Sequence, residues 1–344
     1  MPPALIRRPL TITTWLVLSL VGLLLSPLLL AGAALMAAVL RRPQPLLFTR
    51  FLIAYLARES GGILACGALW LLSGFGARIR SARSRRLHYR LLHWYVHGLA
   101  ERVLSLLDID VDAQIPEDVA GALHRDRPLL FFSRHAGPGD TLLVVDMMQT
   151  DFDRLPSVVF KDTLAIDPCV DLVGHRLPHA VLDTSDREEC EARIGEVTSH
   201  LDPRGILVLF PEGGNVTAER RHRALRKLRR KGRRREAEAA GQMTHVMPPQ
   251  PTGALAAMSA SPDADVIFGA HTGLGLAAFP RELWKHTPIG QTLKERMWLA
   301  PAAERPRDKE EQIQWLYDWW RRIDDWVDTQ GEETPDEAAV SLEG

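Results

Sequence analysis

A histidine and an aspartate stand five positions apart in Ser133-Arg134-His135-Ala136-Gly137-Pro138-Gly139-Asp140. A glutamate stands in Pro211-Glu212-Gly213-Gly214-Asn215. When a carboxylate holds one imidazole nitrogen, the other is left basic and can take a proton from an alcohol. On a regular helix, positions five apart lie on different faces, so His135 and Asp140 can meet only if the chain turns. Gly137-Pro138-Gly139 supplies that turn. Asp140 would then open a helix over Thr141 to Gln149, whose N-terminus favours its charge. The spacing alone says little: with twelve histidines, a His-x4-Asp match arises about once by chance. What gives it weight is its place after one apolar run, with the glutamate motif after another.

Those runs belong to an alternating pattern. Apolar strand candidates lie at Pro128 to Ser133, Ser157 to Phe160, Ala180 to Asp183, Ile206 to Phe210, Asp265 to Gly269 and Met297 to Ala300. Helical patterns lie at Leu91 to Leu107, Thr141 to Gln149, Glu188 to Leu201 and Thr217 to Ala240. Strands alternating with helices predict an α/β fold, a mostly parallel sheet flanked by helices. Ligands of such sheets bind beyond the carboxyl ends of the strands, which is where both motifs fall.

The chain before this pattern is different. Leu10 to Leu40 carries no charged residue. As one helix it would be roughly 45 Å long, against a hydrocarbon core of about 30 Å. Ser26-Pro27 lies near its middle, so it reads as one kinked, tilted span or as two half-helices that dip in and return. It is long for a signal peptide, the competing reading. Arg41, Arg42 and Arg50 after the run outnumber Arg7 and Arg8 before it, which puts the rest of the chain on the cytoplasmic side. Gly61 to Gly76, followed by arginines from Arg78 to Arg90, reads as a helix in the membrane interface or as a buried core helix. The expected organisation is a membrane helical region over 1–90, a catalytic domain over 91–330 and an acidic, disordered tail over 331–344.

His135-x4-Asp140 followed by Phe210-Pro211-Glu212-Gly213 resembles the PlsC-type 1-acyl-glycerol-3-phosphate (lysophosphatidate) acyltransferases. Two further blocks fit, over Lys161 to Asp183 and over His245 to Gly253, and the resemblance spans roughly Leu91 to Trp326. It implies that His135 deprotonates a lysophospholipid hydroxyl, first of all that of 1-acyl-glycerol-3-phosphate, and that Asp140 orients it. The acyl group would come from acyl-CoA or an acyl carrier protein thioester, with no other cofactor and no metal. Pro211, Glu212 and Gly213 would line the acceptor site. Many members carry an arginine shortly after the glutamate motif and another after the second-block strand. Here those places hold Gly214-Asn215 and Asp183-Thr184-Ser185. Lys161, Arg134, Arg176 or the basic segment could substitute, or the acceptor could be another lysolipid or a glycolipid. A non-catalytic membrane-surface protein of the same fold is the reading from another class; it requires that His135 and Asp140 stay apart.

Composition limits the remaining classes. The 344 residues have a formal net charge of −1, so no global field points to nucleic acid. Arg220 to Arg235 holds eleven basic residues but no aromatic one, hence no stacking platform for bases. It suits membrane lipids or the phosphates of an acyl carrier, or is a solvated helix. Three cysteines without CxxC spacing argue against a zinc site or a disulfide framework. Trp315, Trp319, Trp320 and Trp326 share a helical pattern that predicts core packing.

Overall fold

The computed structural model describes residues 3–137, 139–183, 186–274, 284 and 287–337. A seven-stranded sheet forms its centre, in the order β1-β7-β6-β2-β5-β3-β4. The strands are β1 (Asp110–Gln114), β2 (Leu129–Ser133), β3 (Leu155–Lys161), β4 (Ala180–Leu182), β5 (Gly205–Leu209), β6 (Asp265–Thr272) and β7 (Thr292–Ala300). All neighbours run parallel except β6 and β7. The fold is therefore α/β with a mostly parallel sheet.

Every residue of β2 and of β5 is buried. Both faces of these central strands are covered, which is why they read as unbroken apolar runs. Successive side chains point to opposite faces. Leu130, Phe132, Leu207, Leu209, Val266 and Phe268 join one core cluster; Leu129, Phe131, Ile206, Val208 and Ile267 join the other. The first cluster is covered by α8 (Arg187–Ser199), α9 (Ala218–Arg230), α10 (Arg234–Gln242), α11 (Pro251–Ala260) and α12 (Lys309–Thr329). The second is covered by α4 (Ala82–Leu107), α5 (Glu117–His124) and α6 (Asp140–Thr150).

Helix α12 carries the tryptophans. Trp320 is fully buried, and Trp319 stacks on Phe268 with ring centroids 4.5 Å apart. The Asp308 side chain caps the helix by accepting from Glu310 and Glu311 N–H. The run Thr217 to Ala240 forms two helices rather than one. Gly232 takes a φ of +69° between α9 and α10, a conformation that ends a helix. Helix α4 starts nine residues before Leu91, at Ala82, where the Ser81 hydroxyl accepts from Ser84 N–H. The arginines read as an interfacial flank are thus partly helical, and Arg85 pairs with Asp202 at 3.2 Å.

The N-terminal region forms α1 (Ala4–Leu24), α2 (Ser26–Leu40) and α3 (Gln44–Leu72). The break falls at Leu25, one residue before the Ser26-Pro27 pair. Both α1 and α2 pack on α3: Trp15 of α1 meets Tyr55 edge-on, and the Gly22 backbone lies against Leu56. α1 and α3 are long and apolar enough to cross a membrane. Leu18, Leu20, Leu24, Leu28, Leu35 and Val39 are exposed on α1 and α2, an apolar surface of the kind that water does not favour. The Gly61 to Gly76 stretch is the end of α3 together with the turn after it. Gly62, Ile63 and Cys66 are buried, whereas Leu64, Leu71, Leu72 and Phe75 are exposed. Each of the two readings describes one face of it. At the other end of α1, Arg7 and Arg8 pair with the buried Asp171 of α7 (Pro168–Gly174), at 2.8 and 3.0 Å.

Candidate active site

The end of β2 and the start of α6 bring the histidine and aspartate together. His135 Nδ1 lies 2.9 Å from Asp140 Oδ2, and the same oxygen accepts from Gly137 N–H at 2.9 Å. The turn therefore does what its glycines predict; Pro138 lies outside the described residues. Because Asp140 accepts at Nδ1, the proton belongs there and the lone pair belongs at Nε2. Nε2 makes no hydrogen bond among the described residues, and the ring keeps 18% of its side-chain surface. Asp140 keeps 3%. The loop after β5 closes over the histidine. Phe210 lies against the imidazole, ring centroids 4.6 Å apart, and Val216 N–H donates to the His135 carbonyl at 3.1 Å.

A second histidine completes the surroundings of Asp140. His271, near the end of β6, places Nε2 3.1 Å from Asp140 Oδ1 as an ion-pair contact. Burial alone would raise the Asp140 carboxyl. The charge of His271 and the hydrogen bond from His135 outweigh it and hold the carboxyl well below the usual carboxylate range. His271 responds in kind: burial disfavours its charge, but Asp140 wins and raises its pKa. Sequence spacing gives no sign of this contact, because it joins residues more than a hundred positions apart.

Glu212 is the second buried acid. Its Oε1 accepts from Trp320 Nε1 at 3.2 Å. Burial pushes its pKa up to about 8, although the charge of Arg134, the Trp320 bond and the backbone N–H groups of His135 and Met247 pull it down. Glu212 is buried against α12. Its neighbours build the loop. Pro211 carbonyl accepts from Gln250 N–H at 2.8 Å. Gly213 and Gly214 have φ of +71° and +150°. A side chain at Gly214 would collide with the Arg220 guanidinium.

The basic residues expected near the site take different positions. Arg134 is fully buried, paired with Glu332 at 2.9 Å, and donates to the carbonyls of His271 and His245. It serves the interior, which a charged neighbour of His135 does not announce in sequence. Glu332 opens the segment read as a disordered tail; through residue 337 that segment is described and docked by this pair, and 338–344 lie outside the described residues. Arg176 donates to the Cys66 carbonyl at 2.8 Å and meets His88, so it ties α7 to α3 and α4. Lys161 is exposed at the end of β3. The second-block positions Thr184 and Ser185 are not described. Nothing in the sequence singles out Arg220 from the basic run around it. It leaves the first turn of α9, whose Thr217 cap fixes it, and donates to the Asn215 carbonyl at 2.9 Å. Its guanidinium thus lies over the loop position where the resemblance leads one to expect an arginine.

Residues 114–257 match a family model described as Acyltransferase. The chain carries an acyltransferase domain. That model is of the family of PlsC-type acyltransferases, and it covers less than half of the chain. No curated protein and no solved structure matches the chain. Within the acyltransferase domain lie His135, Asp140, Glu212 and Arg220; His271, Trp320 and Glu332 come from the chain beyond it. A cavity of about 1670 Å³ beside α11 includes Arg187, Arg233, Thr252, Asp263 and Arg305 in its walls. His135, Asp140 and Glu212 do not line it, so it is separate from the histidine site.

Proposed function

We propose that the protein moves a fatty acyl group from an acyl thioester to the hydroxyl of a lysophospholipid, with His135 as general base. The observation that carries this reading is the His135–Asp140 bond, which leaves Nε2 unengaged at the end of a parallel strand. The acceptor hydroxyl gives its proton to His135 Nε2 as its oxygen attacks the thioester carbonyl carbon. The tetrahedral intermediate expels the thiolate, which takes the proton back from His135. Asp140 stays ionised throughout and stabilises the imidazolium. The same bond speaks against the non-catalytic reading, which needs the two side chains apart.

Arg220 favours an acceptor with an anionic head group, lysophosphatidate first, since its guanidinium lies over Gly214 beside the histidine loop. The absence of the two motif arginines favours another lysolipid or a glycolipid. The exposed apolar faces of α1 to α3 support a membrane location, and the arginine distribution supports a cytoplasmic catalytic domain. The exposed basic residues of α9, such as Arg223, Arg226 and Arg230, suit anionic head groups or the acyl carrier.

The test is acyl transfer in membranes holding the full chain, with labelled acyl-CoA or acyl carrier protein thioesters and a panel of lysolipids and glycolipids. Transfer to lysophosphatidate that His135→Ala abolishes is the expected result. Histidine-dependent transfer to another acceptor replaces the substrate and keeps the mechanism. Transfer that survives His135→Ala, or none from either donor to any acceptor, overturns the reading.

A further inference from the structure

A second group of chemistry-bearing side chains lies away from the catalytic pair. His93 and His97 are four apart on α4, one turn along the same face. Asp146 faces them from α6, and the two helices are packed together through Val96, Val144, Val145 and Met148. One donor atom from each of the three residues lies within 4.8 Å of the others, and all three side chains are half-buried. His97 Nδ1 is already 3.0 Å from Asp146 Oδ1. Ligands of a tetrahedral zinc at about 2.1 Å stand roughly 3.4 Å apart, so small side-chain rotations close the set. On the far side of His97, Nε2 lies 3.7 Å from Glu101 Oε1. A carboxylate behind a ligand histidine is how zinc sites fix the ring and raise its basicity. Thr150 Oγ1 adds a polar wall, 3.3 Å from His93 Nε2 and 3.0 Å from Asp146 Oδ1.

We propose that His93, His97 and Asp146 form a binding site for a divalent transition metal, zinc first, that clasps α4 to α6. Two imidazoles and one carboxylate suit zinc, cobalt or nickel far better than magnesium or calcium, which take oxygen ligands. The fourth position faces solvent and takes water. The site is a brace, not a second reaction centre. Asp146 is six residues along α6 from Asp140, about 9 Å of helix, so the metal would steady the helix whose first residue orients His135. Cysteine spacing gives no notice of it because no cysteine takes part, and the third ligand is brought in by the fold. The proposal does not depend on acyl transfer.

The experiment uses the purified full chain in detergent, without an affinity tag, stripped with a chelator and titrated with zinc chloride. Zinc content, calorimetric affinity and thermal unfolding are read together. We expect one zinc per chain and a rise in Tm with zinc. His93→Ala and Asp146→Asn should bind at least about 100-fold more weakly and lose the rise, and Glu101→Gln should bind roughly 10-fold more weakly. Cobalt in place of zinc should give the intense visible bands of a four-coordinate site in the unaltered chain alone. Failure of the unaltered chain to take up one equivalent overturns the proposal, whatever the variants do. So does zinc held equally well by both ligand variants, which would assign it to other histidines.

Discussion

Two buried acids stand at the ends of the adjacent strands β2 and β5, and they titrate in opposite directions. Asp140 meets two histidines and a backbone N–H and is held ionised. Glu212 meets an indole and the core; burial dominates and pushes it up to about 8. Both are nearly inaccessible, so depth does not separate them. The partners do: Asp140 is contacted directly by two imidazoles that carry or can take positive charge, whereas the more remote charge of Arg134, the Trp320 indole and two backbone N–H groups do not offset the desolvation of Glu212. A protein that divides the tasks of one ionised and one neutral carboxyl over neighbouring strand ends can use the first for charge and the second for a packed hydrogen bond.

The contrast is broken most directly at the His135–Asp140 end. His135→Ala or Asp140→Asn should lower kcat/KM for acyl transfer by about 10²- to 10⁴-fold. Glu212→Gln should not, because it keeps the acceptor for Trp320 and the neutral state. A loss of equal size at Glu212 would mean that it acts as an anion at the site.

Stability against pH sharpens the same contrast. Between its unfolded value of 4.5 and its folded value of about 8, Glu212 holds a proton that the unfolded chain has lost. Stability therefore falls as pH rises through that window. Glu212→Gln should remove that fall and be more stable at pH 9 by on the order of a few kcal/mol. Asp140 has the opposite sign. Its lowered folded value gives stability present above 3.8 and lost as pH falls toward the folded value, so Asp140→Asn should flatten the acid limb. Thermal unfolding in detergent across pH reads both slopes, and parallel curves for all three proteins would dissolve the contrast.

Smaller effects are expected beside the pair. Arg220→Ala should raise KM for an anionic acceptor about 10-fold with little change in kcat, and leave an uncharged acceptor unaffected. His271→Gln should lower kcat by about 3- to 10-fold, as expected for a residue that positions Asp140 without touching substrate. Because the folded pKa of His271 is raised, its pairing stabilises the fold below the unfolded value of 6.5 and fades as pH rises through the folded value. The variant should lose that contribution, read from the same unfolding curves.

Much of the architecture was legible because the central strands are buried on both sides. Five consecutive buried residues at Leu129 to Ser133 or Gly205 to Leu209 leave few alternatives. The polar strand β1, Asp-Val-Asp-Ala-Gln, is exposed throughout and pairs at the sheet edge, so its sequence looks like a loop. Helices α5, α7 and α11 are short, and their apolar stripes are too brief to show a period. At the site, the local pair His135 and Asp140 could be read from a turn. His271, Glu332 and Trp320 could not, since each arrives from a distant segment. Arg134 shows the opposite difficulty: its charge suggests a ligand, and only the fold reveals that Glu332 has claimed it.

That claim ties the histidine's neighbour to the chain's far end. Residue 134 precedes the proposed base, His135, and its counter-charge sits at residue 332, well outside the acyltransferase match. Cutting the chain at the end of α12 would leave a guanidinium bonded to two carbonyls and stripped of its paired carboxylate, a costly vacancy in a core. The boundary of the functional unit is therefore electrostatic. A protease that trims the tail would act beside His135 without ever reaching it.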